Sequence, residues 1–146
     1  MSVEETQRAL AEQLGIIPDP HERLAAIIAQ AGRTPKPGEA EKTDDALVRG
    51  CVSRVWLVGD VSDGVCHFRC DADSPMVLGL VSLLCQAYEG GTPEAVCATP
   101  PFVLEELGLH RQLSPTRLNG LHHAWQRLRE IAAGGAGGGA SAHTPC

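Results

Sequence analysis

The fold of this chain is decided by residues 53–70, SRVWLVGDVSDGVCHFRC. The opening SRVWLVG is rich in β-branched and aromatic residues, and its apolar side chains fall on both parities, which is typical of a strand covered on both faces. A Ser-Asp-Gly turn at 62–64 follows. The returning VCHFRC segment places Cys66, Phe68 and Cys70 on one face. Together these features predict an antiparallel β-hairpin.

Helices are predicted on both sides of the hairpin. Their N-terminal signals are the Ser2–Glu5 capping box, Asp19-Pro20, Ser74-Pro75, Thr92-Pro93, Pro100-Pro101 and Ser114-Pro115. The helix directly after the hairpin carries MVLGLVSLLCQAY, which is apolar nearly all round and is therefore predicted to be buried. Residues 33–46 are predicted to form a surface loop, and residues 45–49 are a candidate third strand. The fold class is α+β, with a small antiparallel sheet of two to three strands packed against several helices.

Composition limits the size, location and partners of the protein. The 146 residues fit one domain, placed at residues 1–133, and the glycine-rich end at 134–146 is predicted to be a flexible tail. A formal net charge of −6 argues against nucleic acid as a partner. The start of the chain lacks a secretory signal, and no apolar run reaches the roughly 20 residues that span a bilayer. We therefore expect a cytoplasmic protein with no membrane partner.

The six cysteines are the most informative residues, and in a reducing compartment we expect free thiols. Cys66 and Cys70 are about 13 Å apart along a strand, which is too far to share one tetrahedral zinc, so core packing is favoured. Cys85 and Cys97 are also interpreted as small buried hydrophobes. The sequence has no CxxC pair, which excludes a thioredoxin-type dithiol and a zinc ribbon. We predict no metal site.

Cys51 differs because it follows Gly50 at the junction between the polar loop and the first strand. The glycine permits a tight turn that would expose the thiol, and Arg49 and Arg54 would favour the thiolate that a nucleophile needs. A reactive thiol and a partly buried structural cysteine both fit this pattern.

Two neighbouring histidines lie on the last predicted helix. His122 falls on an apolar stripe with Leu121, Trp125 and Leu128, which favours a hydrogen-bonded core histidine over a ligand. His123 is predicted to point toward solvent.

Longer blocks of the sequence resemble the SufE-like cysteine desulfuration proteins, the sulfur acceptors of iron-sulfur cluster assembly. The blocks are RLAAIIAQAGRTP at 23–35, VRGCVSRVWLV at 48–58, DADSPMVLGLVSLL at 71–84 and LGLHRQLSPTRLNGL at 107–121. They follow the family's order and cover most of the domain. The resemblance implies a SufE/NifU-like fold.

The resemblance also implies a function. Cys51 would take sulfane sulfur from a cysteine desulfurase, hold it as a persulfide and pass it to a downstream iron-sulfur scaffold. The pyridoxal phosphate would belong to the desulfurase, so the chain itself would carry no cofactor. It would stimulate its partner rather than turn over alone, and the family is compatible with a homodimer. Supporting or partner-binding roles fall on Arg49, Gly50, Ser53, Asp73, Arg117 and Asn119.

The chain departs from the family pattern at Ala46, Val52, Leu78 and Gln112. These departures bear on partner contacts more than on the transfer chemistry, which needs chiefly the cysteine. Two other functions remain open: an iron-sulfur or zinc scaffold of the NifU/IscU type, and a desulfurase-binding module that does not transfer sulfur.

Overall fold

A computed structural model describes residues 2–51 and 53–134. Within them the chain forms two strands and seven α-helices: α1 (Val3–Gly15), α2 (Pro20–Ala29), β1 (Val55–Ser62), β2 (Val65–Ala72), α3 (Pro75–Tyr88), α4 (Pro93–Ala98), α5 (Phe102–Glu106), α6 (Leu109–Gln112) and α7 (Pro115–Gly134). Short 3-10 turns lie at Ala31–Arg33, Glu39–Glu41 and Asp44–Ala46. The predicted α+β class is confirmed.

Local signals set most of the helix starts. The side chains of Ser2, Asp19, Ser74 and Thr92 cap α1, α2, α3 and α4, each by accepting a hydrogen bond from a backbone N–H of the first turn. Helix α6 has no such signal, because only Leu107 and the left-handed Gly108 separate it from the end of α5. Helix α7 ends at Gly134, the first residue of the predicted tail, and residues 135–146 lie outside the described part of the chain.

The hairpin joins β1 and β2 in an antiparallel register that pairs Ser62 with Val65. Asp63 and Gly64 form the two-residue turn with φ of 55° and 80°, and positive φ at both positions is the type I′ pattern that matches strand twist. On β1, buried side chains alternate with half-buried ones such as Trp56 and Val58. The expectation that β1 is covered on both faces is therefore wrong: one face is in the core and the other is only partly shielded.

The candidate third strand at 45–49 does not form. Leu47 makes a single bridge to Trp56, and the N–H of Val48 donates to the carbonyl of Val55 at 2.8 Å. A 3-10 turn ends just before this pair, and Gly50 just after it has a φ of +86°. Because both neighbours leave the extended conformation, the pairing stops after one bridge.

The outer edge of β2 is covered by other parts of the chain. Its outward N–H groups donate to other parts of the chain. The N–H of Cys66 donates to the carbonyl of Gly91 at 2.8 Å, and the N–H of Cys70 donates to the carbonyl of Pro35 at 3.1 Å. The N–H of Phe68 donates to the carboxylate of Glu89 at 2.9 Å. Residues 33–46 are therefore more than the predicted surface loop, since they pack along β2 and bury Thr34 and Pro37. Covering the edge leaves fewer unpaired backbone groups for another chain to pair with.

The core lies between the hairpin and α3. Helix α3 buries nearly all of its second half, as predicted, against the inward side chains Cys66, Phe68 and Cys70 of β2. Helix α2 packs on α3 at Gly79, where a Cβ would lie 2.7 Å from the Cα of Ile28. No helix in residues 2–51 or 53–134 is long and apolar enough to cross a membrane.

This close approach yields a prediction about stability. We expect Gly79→Ala to lower the free energy of unfolding by about 1–3 kcal/mol, because the new methyl group meets backbone rather than a flexible side chain. The matched control is Gly15→Ala at the end of α1, where nothing lies within 4 Å and the helical propensity of alanine should leave stability equal or slightly higher. Urea denaturation measures both, and equal effects of the two substitutions would contradict the packing described.

Candidate functional site

Cys51 lies in a cleft between α3 and the start of α7. The cleft has a volume of about 200 Å³. Its apolar floor comes from α3 and from Leu121 of α7, and its polar rim comes from the first turns of α7. The lining residues are Cys51, Ser53, Val77, Leu80, Val81, Ser114, Thr116, Arg117, Gly120 and Leu121. The thiol is half-buried, so it is sheltered without being sealed in the core.

Helix α7 approaches the thiol closely. The Sγ of Cys51 lies 3.5 Å from the carbonyl oxygen of Gly120, as a weak S–H donor to a helix carbonyl. A Cβ on Gly120 would stand 3.4 Å from the same sulfur. The thiol therefore rests directly on the backbone of α7, at a distance that would still leave ordinary contact with a Cβ at position 120.

Burial raises the pKa of the Cys51 thiol above its ordinary value, and desolvation is the cause. The expectation that Arg49 and Arg54 favour the thiolate is therefore wrong. The Arg54 guanidinium lies 5.0 Å from the centre of the Trp56 ring, on the partly shielded face of β1, and Arg49 is exposed. In this conformation the thiol is protonated and weakly nucleophilic near neutral pH.

The two histidines of α7 have the opposite placements from those predicted for them. His122 is exposed, whereas His123 is half-buried and packs against Gly50. A Cβ on Gly50 would lie 2.6 Å from both Cδ2 and Nε2 of the His123 ring. Gly50 is thus required both for its φ of +86° and for the space that the ring occupies.

The other predicted site residues divide into two groups. Ser53 and Arg117 line the cleft with Cys51, as expected from their proposed supporting role. Asp73 and Asn119 do not line it, and Asn119 is exposed on α7. Asp73 instead clamps the base of the hairpin: its Oδ1 accepts from the N–H of Arg54 at 3.1 Å, and its own N–H donates to the Arg54 carbonyl at 3.1 Å.

The remaining described cysteines lie away from the cleft. Cys66, Cys70 and Cys85 are buried free thiols in the core, as predicted. Cys97 is half-buried and packs against the core, so it is less buried than expected. No group of three or more His, Cys, Asp or Glu side chains in the described residues is arranged to hold a metal ion.

Three positions that depart from the family pattern have structural contacts. Ala46 is buried, Leu78 packs against the core, and the Nε2 of Gln112 donates to the carbonyl of Pro20 at 3.0 Å. Gln112 thereby ties α6 to the start of α2. Val52 lies outside the described residues.

Sequence reasoning misses several contributors to the site. Thr116 and Gly120 lie within the LSPTRLNGL block, whose resemblance to the family is the available signal for them. His123 is missed because an apolar stripe does not tell which of two adjacent residues faces the neighbouring element. The hydrophobicity of the α3 sequence on all sides could have indicated the apolar floor formed by Val77 and Leu80.

Comparison with known proteins identifies the class to which this fold and site belong. Residues 8–132 match the SufE family, described as an Fe-S metabolism associated domain. The chain belongs to the SufE family.

Individual relatives agree with this assignment. An uncharacterized SufE-like protein from Synechocystis is 32% identical over 114 residues, which is 78% of this chain and 72% of that protein. The sulfur acceptor protein CsdE from Escherichia coli is 42% identical over 77 residues, 51% of this chain and 52% of CsdE. The solution structure of a hypothetical protein from Thermus thermophilus superposes with a TM-score of 0.71 at 26% identity, covering 85% of this chain and 90% of that one.

The raised pKa of Cys51 is directly testable. We expect its alkylation by iodoacetamide to reach half its maximal rate at a higher pH in the folded protein than in urea, because unfolding removes the desolvation that disfavours the thiolate. Peptide mass spectrometry across a pH series measures Cys51 separately from the other thiols. A lower midpoint in the folded protein would instead show that neighbouring cations dominate.

Proposed function

We propose that this protein is a sulfur acceptor of iron-sulfur metabolism, which receives sulfane sulfur from a cysteine desulfurase as a persulfide on Cys51. The observation that carries the proposal is the placement of Cys51: among the free thiols of the described residues, it alone is half-buried in a surface cleft, while the others are in the core. Family membership and the likeness to a sulfur acceptor protein support the same role.

The transfer is a thiol exchange in which atoms and electrons balance. The Cys51 thiolate attacks the outer sulfur of the desulfurase persulfide, a new S–S bond forms on Cys51, and the donor's S–S bond breaks. The donor cysteine leaves as a thiolate and takes up the proton that Cys51 released. No external oxidant or reductant is needed, because the sulfane sulfur keeps its oxidation state.

The cleft suits a carrier of this intermediate. A volume of about 200 Å³ exceeds the roughly 30 Å³ share of one water molecule, so one added sulfur atom fits beside the apolar floor. Val77, Leu80 and Leu121 would shield the persulfide from attack by thiols in solution. The carrier would therefore protect its cargo between donor and recipient.

The raised pKa of Cys51 favours partner-dependent reactivity. A sheltered and protonated thiol reacts slowly with unrelated disulfides, so the thiolate would form when the partner draws the segment around Cys51 out of the cleft. Pyridoxal phosphate would be supplied by the desulfurase. The persulfide would then pass to a downstream iron-sulfur scaffold.

Exposed residues beside the cleft are the proposed contacts to the desulfurase. Arg117 lines the cleft. Arg49 is exposed and lies two residues before Cys51 in the sequence, and Asn119 is exposed on the same helix turn as Gly120. Within the described residues, the Arg117 guanidinium forms no ion pair and is therefore available to a carboxylate of a partner.

The proposal predicts a specific covalent product. After incubation with a cysteine desulfurase and cysteine, we expect intact-mass analysis to show a gain of one sulfur atom that a reductant removes. Cys51→Ser should abolish the gain, since it removes the accepting sulfur. Cys66→Ala is the matched control, because it removes a fully buried thiol and should leave the gain in place.

Other results would overturn the acceptor role. An equal gain in Cys51→Ser would place the sulfur elsewhere. No gain, together with stoichiometric iron or zinc that Cys51→Ser abolishes, would support the scaffold function instead. Binding to the desulfurase without any gain would support a module that does not transfer sulfur.

The Arg117 contact predicts a salt-dependent rate. We expect Arg117→Gln to slow sulfur uptake about 3- to 10-fold at low ionic strength and by less at high ionic strength, because a lost rim charge acts mainly on association. Arg111→Gln on α6 is the control, since Arg111 is also exposed but does not line the cleft. Equal slowing by both substitutions would indicate an effect of net charge alone.

A further inference from the structure

One face of α7 contacts the segment around Cys51 and the start of β1 at successive points. Gly120, His123 and Arg127 are spaced three and four residues apart, so they lie on the same side of the helix. The Gly120 carbonyl meets the Cys51 sulfur at 3.5 Å, and the Nε of Arg127 donates to the carbonyl of Leu57 at 3.3 Å. His123 occupies the middle of this line.

The contact between His123 and Gly50 is a packing contact with little free space. Any Cβ on Gly50 would lie 2.6 Å from two atoms of the ring, so the imidazole covers the face of Gly50 where a side chain would stand. Gly50 directly precedes Cys51, and glycine has the freest backbone of any residue type. A group that packs on it therefore restricts the most flexible point next to the thiol.

We infer that His123 is a positioning residue, whose ring holds Gly50 in place and thereby keeps the Cys51 thiol in its cleft. His123 acts through Gly50, not on the sulfur. Its neighbour His122 does not share this contact: it is exposed, and its ring centre is 6.3 Å from that of His123. The positioning role itself does not depend on the proposed sulfur-acceptor function. Only the biological purpose of that role rests on the proposed function.

Loss of the His123 ring has a defined consequence for the thiol. With space beside Gly50, the segment samples positions in which Cys51 is hydrated, and the desolvation that raises the pKa of its thiol is reduced. The charged side chain that lines the cleft with Cys51 is Arg117, which the substitution does not remove. Since the desolvation is relieved and the cation is kept, the thiolate population should rise.

The experiment measures the alkylation rate of Cys51 from about pH 7 to about pH 11 in His123→Ala, His123→Phe and His122→Ala. We expect His123→Ala to react about threefold faster or more below the midpoint, with the midpoint moved to lower pH. His123→Phe restores ring packing without the ring nitrogens, so it should return the profile to that of the unsubstituted protein. His122→Ala should leave the profile unchanged.

Urea denaturation identifies any variant that is simply unfolded. An unchanged profile in folded His123→Ala would overturn the inference, as would failure of folded His123→Phe to restore it. Sulfur uptake is measured separately on the same proteins. If the profile moves but no variant, nor the original chain, gains sulfur, the positioning role stands and the proposed function fails. If the original chain gains sulfur and the profile does not move, the proposed function stands and the positioning role fails.

Discussion

The burial of one face of a two-stranded hairpin is the constraint on which the rest of the structure depends. Two strands alone are marginally stable in water, so the hairpin is stabilised by the apolar side chains that it turns toward α3 and α7. Val55, Leu57, Cys66, Phe68 and Cys70 are at most 1% exposed. A shift of register by one residue would exchange this face for the one carrying His67 and Arg69. The start of β1, and with it the position of Cys51, is therefore fixed by packing several residues away from the thiol.

Helix α7 packs beside this strand and completes the site. Its buried residues Leu121, Ala124 and Leu128 pack into the core, and the residues one position earlier face the segment that leads into β1. Two glycines lie at the contacts that result. The His123 ring occupies the space where a Cβ on Gly50 would stand, whereas a Cβ on Gly120 would meet the Cys51 sulfur at an ordinary contact distance of 3.4 Å. The geometry of the segment before β1 therefore depends more on glycine at position 50 than at position 120.

Much of the fold could be predicted from local sequence signals, and most of the errors concern contacts between distant parts of the chain. The caps at Ser2 and Ser74 and the Asp63-Gly64 turn depend on neighbouring residues, and their predictions are confirmed. The covering of β2 by Pro35 depends on a hydrogen bond to Cys70 across the fold, which no periodicity reveals. The histidines are interchanged because adjacent helical residues differ by about 100° in direction, less than the width of an apolar stripe. The effect of Arg54 on the thiol is misjudged from sequence because its side chain lies over Trp56.

Burial of the thiol and its reactivity are linked through one free energy. Each unit by which burial raises a pKa corresponds to about 1.4 kcal/mol of preference for the protonated form in the closed conformation. Desolvation is the cause of the raised pKa of Cys51, so the same free energy favours opening once the thiolate forms. A partner surface that stabilises the thiolate would thus open the segment without touching the residues that hold it closed. The contacts of Gly120 and His123 oppose this opening. If the proposed function holds, their strength would set how much stabilisation a partner must supply before sulfur could move.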